Sequence, residues 1–241
     1  MVPAWLTDEF FGQRKHRNSK TMKSNAINWT VGAALALALT TSAVAADNWV
    51  KLGSKPGSKV RMDGTSSIHD WYAESAIIRG TFEVEPEFLT DKSLKSVKSL
   101  TTKEVNPKAE LAIPVRSLKS SSGQKMDEIM QEAMNMKEHK DIVYKLKEMV
   151  LKGEADAAGA AKFDTVGDLT VAGKTQPCAM VVNLERLDGG RFKFSGETKL
   201  KMTDFGIAPP SPKIPGMAEI KTGDEVTLKF EWVVGTTTAA K

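Results

Sequence analysis

Apolar and polar side chains alternate along most of the chain after residue 46. Every second residue is apolar, and the residues between are mainly charged or polar, in seven segments: 59–62, 76–84, 109–115, 142–147, 178–184, 192–202 and 226–234. Successive side chains of a β-strand point to opposite faces, so a period of two predicts strands with one dry and one wet face. Such strands are typical of antiparallel sheets.

Short turn sequences separate these strands. Val105-Asn106-Pro107, Ala172-Gly173-Lys174 and Asp188-Gly189-Gly190 carry the residues that turns favour, and the last predicts a hairpin. About eight strands joined mostly by short turns favour an up-and-down barrel over a sandwich, because closure pairs every strand edge. We therefore predict an all-β fold, an antiparallel eight-stranded barrel with one short α-helix. Such a barrel has room for a filled core or one small ligand.

One segment departs from the two-residue period. In residues 125–137 the apolar side chains recur three and four positions apart, which predicts a short amphipathic helix rich in methionine. Two interpretations stay open: the helix covers or plugs the barrel, or its flexible thioethers line a portal for lipid. The charged runs Lys92–Lys103 and Glu138–Lys152 are interpreted as solvated faces of strands or helices.

The N-terminal 45 residues have the character of an export signal. Lys23 supplies positive charge, the run Val31–Ala45 is uncharged, and Ala43-Val44-Ala45 fits the small-residue cleavage rule. We predict translation from Met22, cleavage after Ala45, and a periplasmic or secreted product. The predicted organisation is an N-terminal extension and signal peptide at 1–45 and one barrel domain at 46–241, with no stable membrane span in the mature chain.

Charge and cysteine content narrow the candidate functions. The chain has 34 Lys and Arg against 30 Asp and Glu, and residues 1–45 hold five and two of these, which leaves a mature net charge of +1. A nucleic-acid partner is not predicted, because phosphate binding needs a strong positive field. Cys178 is the only cysteine, so the chain has no internal disulfide; the alternatives are a buried thiol or pairing between chains in a homodimer.

The stretch Ser66–Asp70 contains serine, histidine and aspartate, the side-chain types of a catalytic triad. If this stretch is extended, Ser67 and His69 share one face and Asp70 points away from both, which does not give the geometry of a Ser-His-Asp relay. We expect His69 and Asp70 to hydrogen-bond a strand end, a loop or a ligand head group. A hydrolase using Ser67 and His69 is the weaker alternative. Metal binding is not predicted, because the histidines lack metal-ligand spacing.

Four motifs in sequence resemble the YceI-like family. They are Ser66-Ser67-Ile68-His69-Asp70-Trp71, Val115-Arg116-Ser117-Leu118 with the following Met126-Asp127, Gly167-Asp168-Leu169-Thr170-Val171-Ala172-Gly173-Lys174-Thr175, and Asp204-Phe205-Gly206-Ile207. The resemblance covers most of residues 58–234. Ala73 departs from the glycine expected in many relatives.

This resemblance implies an exported, lipocalin-like barrel that binds a long isoprenoid in its lumen without catalysis and without another cofactor. The chemistry is compatible, since an apolar chain gains about 0.8 kcal/mol per buried CH₂. The predicted lining is Ile78, Phe82, Ile113, Val115, Met130, Met134, Tyr144, Phe194, Phe205 and Phe230, with His69, Asp70 and Trp71 near one mouth. The main alternative is a structural or partner-binding barrel whose core is filled.

Overall fold

The computed structural model describes residues 48–211, 213 and 219–237. Its strands are β1 (Val50–Ser54), β2 (Lys59–Ser66), β3 (Trp71–Ser75), β4 (Arg79–Val84), β5 (Lys108–Pro114), β6 (Lys119–Ser120), β7 (Asp141–Leu151), β8 (Ala161–Val171), β9 (Lys174–Leu187), β10 (Arg191–Lys201) and β11 (Thr222–Thr236). Its α-helices are α1 (Glu87–Thr90), α2 (Lys98–Thr101) and α3 (Gln124–Ala133). The predicted signal peptide lies outside the described residues.

Eight of the strands form a closed antiparallel barrel. Their order is β1, β4, β5, β7, β8, β9, β10 and β11, and β11 pairs back with β1 to complete the ring. Closure places Leu52 opposite Thr236 and Ser54 opposite Val234. Along β8 every second residue, from Ala161 to Val171, is buried. The prediction of an all-β, eight-stranded antiparallel barrel is confirmed.

The remaining strands β2, β3 and β6 extend the wall from one edge of β11. The last residues of β11 pair with β1, whereas its earlier part pairs with β2, with Phe230 opposite Val60 and Val226 opposite Gly64. The outer strand β3 pairs with β2 along its length but with β6 over only two residue pairs. The wall therefore divides at one end of the barrel, and α3 follows directly after the short β6.

The opposite end of the barrel is filled by the segment that carries α1 and α2. Phe88, Leu94, Val97 and Leu100 are all fully buried and belong to the hydrophobic core. The prediction that Lys92–Lys103 forms a solvated face is therefore wrong for its apolar residues. The lysines between them stay exposed. Because these charged residues dominate the segment, its composition did not indicate that Leu94, Val97 and Leu100 are buried.

An arginine and an aspartate hold this segment in place. Arg186 reaches from β9 and donates hydrogen bonds to the carbonyl oxygens of Phe88 (2.9 Å), Asp91 (3.0 Å) and Leu89 (3.4 Å). Burial lowers the pKa of the Arg186 guanidinium, and the charge of Asp91 acts in the opposite direction. The Asp91 carboxylate accepts hydrogen bonds from the backbone and hydroxyl groups of Ser93 and Ser96.

Helix α3 is shorter than predicted. It ends at Ala133 because Asn135 adopts the left-handed conformation (φ 48°) and donates its N–H to the carbonyl of Glu132. Its first turn is fixed by the buried carboxylate of Asp127, which accepts from the Ser120 N–H (2.6 Å) and from Lys119 Nζ (3.1 Å). Among the described residues, no helix has the length and apolar character that crossing a membrane requires.

Candidate functional site

An apolar cavity of about 90 Å³ lies inside the barrel, and we call it the inner cavity. Residues of seven barrel strands and β2, with one residue just before β4, line it: Val60, Ile78, Phe82, Ala109, Leu111, Ile113, Ile142, Tyr144, Leu146, Met149, Thr165, Leu169, Met180, Val182, Phe194, Leu228, Phe230 and Trp232. Because the strands alternate, their charged neighbours point outward and form cross-strand ion pairs, such as Lys51 with Glu83 (3.1 Å).

The floor of the inner cavity is a cluster of aromatic rings. Phe82 and Phe194 line the cavity and meet edge to face, with ring centroids 5.1 Å apart. Phe88 packs beneath them from α1, 5.6 Å from Phe82 and 6.4 Å from Phe194. Trp232 extends the cluster sideways, 5.9 Å from Phe194. This packing makes the filled end of the barrel a solid base for the cavity.

A second cavity, the outer cavity, has a volume of about 280 Å³. It is lined by Met62, Ser66, Ile68, His69, Trp71, Ala73, Ser120, Ser122, Met126, Ile129, Met130, Ala133, Met134, Ile142, Leu169, Val171, Leu200, Lys201, Met202, Phe205, Ile207, Pro210, Ile220, Thr222, Val226 and Leu228. Some of these residues are exposed, Ile68 by 50%, so the outer cavity reaches the surface. Five come from α3 or the residue after it, and three of those are methionines.

The two cavities adjoin within the barrel. Ile142, Leu169 and Leu228 line both, so they form the layer where one cavity meets the other. The outer cavity alone approaches the lower limit of about 300 Å³ that is usual for small-molecule pockets. Together the cavities form an apolar hollow that runs from the divided end of the wall to the aromatic floor.

Three aromatic rings pack directly against glycine residues of the wall. A side chain at Gly167 would come within 2.5 Å of the Tyr144 ring and hydroxyl, and one at Gly196 within 3.0 Å of Phe230. At Gly64 the clash with Trp71 would be closer still. Glycine is needed at these positions to let the rings approach the backbone.

Two hydroxyl groups of the inner cavity lie close together. Tyr144 Oη is buried, and the Thr165 hydroxyl is its hydrogen-bonding neighbour. Burial raises the pKa of Tyr144 to about 12, and the Thr165 hydroxyl acts in the opposite direction. This pair of hydroxyl groups interrupts an otherwise apolar wall.

Most of the residues predicted to line the lumen do line a cavity. The inner cavity contains Ile78, Phe82, Ile113, Tyr144, Phe194 and Phe230, and the outer cavity contains Met130, Met134, Phe205, His69 and Trp71. Contact of these residues with a ligand stays a prediction.

Val115 and Asp70 fall outside the two sets of described lining residues. Strand β5 ends at Pro114, and Val115 begins a short 3₁₀ turn instead of continuing the alternation. Its side chain is buried in the core, and its N–H donates to the carbonyl of Lys140 (2.9 Å). Asp70 is exposed, and its carbonyl accepts a hydrogen bond from His69 Nδ1 (2.8 Å).

The stretch Ser66–Asp70 forms a tight turn between β2 and β3, so it does not have the extended conformation that was considered for it. Ser66 Oγ accepts from the N–H of His69 (3.2 Å) and donates to its carbonyl (2.7 Å), which closes the turn. Ser67 Oγ accepts from the N–H of Lys221 (3.1 Å) and thereby ties the turn to the start of β11. Trp71 Nε1 donates to the carbonyl of Thr65 (3.1 Å). These groups therefore have a structural role at the mouth of the outer cavity.

Two further candidates from the sequence are a metal site and the single cysteine. Among the described residues, no three side chains of His, Cys, Asp or Glu come together in a group that could hold a metal ion. Cys178 is a free, buried thiol on β9, and burial raises its pKa.

Several lining residues that the prediction omitted carry the same signal as those it named. Leu111 lies between Ala109 and Ile113 in the alternation of β5, and Leu228 and Trp232 flank Phe230 in β11. A rule that took every inward position would have found them. Leu169 and Met180 follow from the same rule applied to β8 and β9.

Comparison with known proteins agrees with this architecture. The model of the family described as YceI-like domain matches residues 55–234. No curated protein matches the chain. Among solved structures, BcnA from Burkholderia cenocepacia is similar with 19% identity and a TM-score of 0.51, over 73% of this chain and 95% of that one.

A second solved structure is a polyisoprenoid binding domain from Saccharophagus degradans, implicated in plant cell wall breakdown. It is 10% identical with a TM-score of 0.54, over 78% of this chain and 99% of that one. At such identities the likeness of either structure shows a shared fold alone.

Proposed function

The chain belongs to the YceI-like family, and from this premise we propose that it binds a long apolar lipid, a polyisoprenoid, in the barrel lumen and carries or sequesters it without catalysis. The observation that carries the proposal is the pair of adjoining apolar cavities between the aromatic floor and the divided wall. A similar fold in Saccharophagus degradans is named as a polyisoprenoid binding domain. That name supports the choice of ligand class.

The physical chemistry of the hollow suits such a ligand. The inner cavity offers hydrocarbon walls and few polar groups, so affinity must come mainly from burial of CH₂ and CH₃ groups. The methionines of α3 can adapt to branched chains because their thioethers are flexible. The polar residues Ser66, His69, Ser122 and Lys201 lie on the outer cavity, where a hydrated head group would be placed.

Lipid extraction tests this proposal directly. We expect organic extracts of the purified protein, analysed by mass spectrometry, to contain an isoprenoid lipid in near-stoichiometric amount. Ala109→Phe adds a ring inside the inner cavity and should reduce the amount several-fold. Lys108→Phe is the matched control, because it adds the same ring on the outward face of the same strand and should leave retention unchanged. Extracts free of lipid from several expression hosts would contradict the proposal and favour a structural barrel.

The proposed location is outside the cytoplasm. Its support is the predicted signal sequence, with the uncharged run Val31–Ala45 and the cleavage motif that ends at Ala45. N-terminal sequencing of protein recovered from the periplasm should give Ala46 as the first residue. Recovery of an uncleaved chain from the cytoplasm alone would contradict this part of the proposal.

A further inference from the structure

The aromatic floor closes one end of the hollow. Phe88 lies beneath Phe82 and Phe194, and Phe192 packs against Phe88 with ring centroids 4.8 Å apart. None of these four rings is more than 3% exposed. Arg186 fixes the backbone beneath them, because it donates to the carbonyl of Phe88 (2.9 Å). The hollow therefore ends at the floor and reaches the surface only through the outer cavity, as far as the described residues define it.

The strand registers show which side chains set the depth of the floor. Phe82 of β4 pairs with Ala109 of β5, so the smallest side chain of the inner-cavity lining lies directly beside a floor ring. The next lining residues of β5 are Leu111 and Ile113, and Ile113 pairs with Ile142 in the layer where the cavities meet. Alternate residues of an antiparallel strand are about 6.8 Å apart. Ala109 therefore lies two such steps deeper than the junction of the cavities.

The distribution of polar groups gives the direction in which an isoprenoid enters. Ser66, His69, Ser122 and Lys201 lie on the outer cavity, whereas the wall near the floor consists of hydrocarbon groups. A polar head group that is carried into the inner cavity would lose its hydration without gaining enough partners. The chain therefore enters with its apolar end first, and its last isoprene unit is the part that meets the floor.

We propose that the aromatic floor is the binding site of the terminal isoprene unit, and that Phe82 and Ala109 determine which chain length the protein prefers. This inference rests on the proposed lipid-binding function and specifies its ligand class. A chain shorter than the hollow leaves apolar space above the floor unfilled, and a longer chain leaves isoprene units in contact with water. Both lower retention, because affinity comes from the burial of hydrocarbon. One chain length is therefore optimal.

A series of polyprenols that differ only in length tests this inference. Purified protein is incubated with phosphatidylcholine vesicles that contain all-trans polyprenols from farnesol to solanesol at equal concentration. The protein is then re-isolated and extracted, and mass spectrometry gives the amount of each length that is bound. We expect one favoured length, with retention falling several-fold for each isoprene unit beyond it, since such a unit stays exposed to water.

Two substitutions at the floor should move the favoured length in opposite directions. The leucine side chain is close in size and shape to one isoprene unit. Ala109→Leu fills the space beside Phe82 and should make the favoured polyprenol shorter by one unit. Phe82→Leu removes a ring from the floor and should make it longer. Lys108→Leu is the matched control, because it adds the same side chain on the outward face of β5 and should keep the wild-type length.

A measurement on the unaltered protein tests the orientation of the chain. A geranylgeraniol analogue that carries a diazirine in its last isoprene unit should, on illumination, label peptides that contain Phe82 or Phe194. Labelling of the peptides around His69 or Met126 on the outer cavity instead would show that the apolar end does not reach the floor, and it would overturn the proposal.

The outcomes separate the two proposals. Equal retention of all chain lengths, or a favoured length that is the same in Ala109→Leu as in the wild-type protein, would overturn the role of the floor and leave lipid binding intact. Recovery of no polyprenol by the wild-type protein would overturn lipid binding itself. Ala109→Leu and the cross-link decide the question even where Phe82→Leu fails to fold.

Discussion

The two ends of the barrel are built from different kinds of side chain. At the filled end, aromatic rings and aliphatic anchors pack without exposure, and Phe88 is 0% exposed. At the divided end, α3 presents methionines to a cavity of about 280 Å³. One closed sheet can therefore be densely packed at one end and remain adaptable at the other.

Phe88→Ala should give the largest loss of stability. Removal of a fully buried phenylalanine leaves a hole that the surrounding rings cannot fill, and it typically costs about 3–5 kcal/mol. Met130→Ala is the matched change at the divided end, and we expect it to cost about 1 kcal/mol because Met130 is partly exposed and already borders a cavity. Chemical denaturation measures both free energies of unfolding. Equal losses would show that the two ends do not differ in packing.

Arg186→Met should lower the free energy of unfolding by about 2 kcal/mol. The substitution leaves the carbonyls of Phe88, Leu89 and Asp91 without their donor. Met keeps much of the aliphatic volume, so the missing hydrogen bonds dominate the change. Arg191→Met, on the same hairpin but with an exposed bond to the Asp188 carbonyl, should change stability by less than about 0.5 kcal/mol. Similar free energies of unfolding for both variants would show that the hydrogen bonds of Arg186 contribute little to stability.

Asp127→Ala should cost about 1 kcal/mol, because the Ser120 N–H and Lys119 lose a buried acceptor. The larger expected effect is on the rate of lipid exchange with membranes. If Asp127 anchors α3 over the outer cavity, lipid transfer from labelled vesicles should become faster in this variant. Glu128→Ala, which removes only exposed contacts with Gln124 and Lys125, should leave the transfer rate unchanged. A transfer rate in Asp127→Ala equal to that of the parent protein would argue against α3 as the cover.

Acid should act more strongly on the filled end. Hydrogen bonds from Ser93 and Ser96 hold the pKa of Asp91 well below its usual range, and at the other end Thr203 lowers that of Asp224. A depressed native pKa stabilises the fold above the unfolded pKa of about 3.9, and this contribution is lost as the pH falls toward the native value. Asp91→Asn should therefore remove more of the stability loss between pH 5 and pH 2 than Asp224→Asn, as followed by denaturation at each pH.

The wall of the barrel could be predicted from the sequence. Period two identified the barrel, because most of its strands have one solvated face; β10 alternates over almost its whole length. The same period placed Tyr144, Phe194 and Phe230 on the cavity wall. These features are local, so a short window of sequence contains them.

The remaining features depend on distant parts of the chain. Leu94, Val97 and Leu100 lie among lysines, and only the open end of a barrel made elsewhere shows that they are buried. Val115 continued the alternation in the sequence, but Pro114 ends the strand before it. The turn after Ser66 depends on bonds to Lys221, more than 150 residues away. Such partners cannot be read from local periodicity.

The closure of the barrel by its first and last strands has a consequence for folding. β1 near residue 50 pairs with β11 near residue 235, so the contact that completes the ring joins almost the two ends of the domain. Contacts of such large sequence separation slow folding, because much of the chain must be ordered before they form. A nascent chain that lacks β11 has no strand with which to seal the ring. The ring can therefore close only after the whole domain has been synthesised.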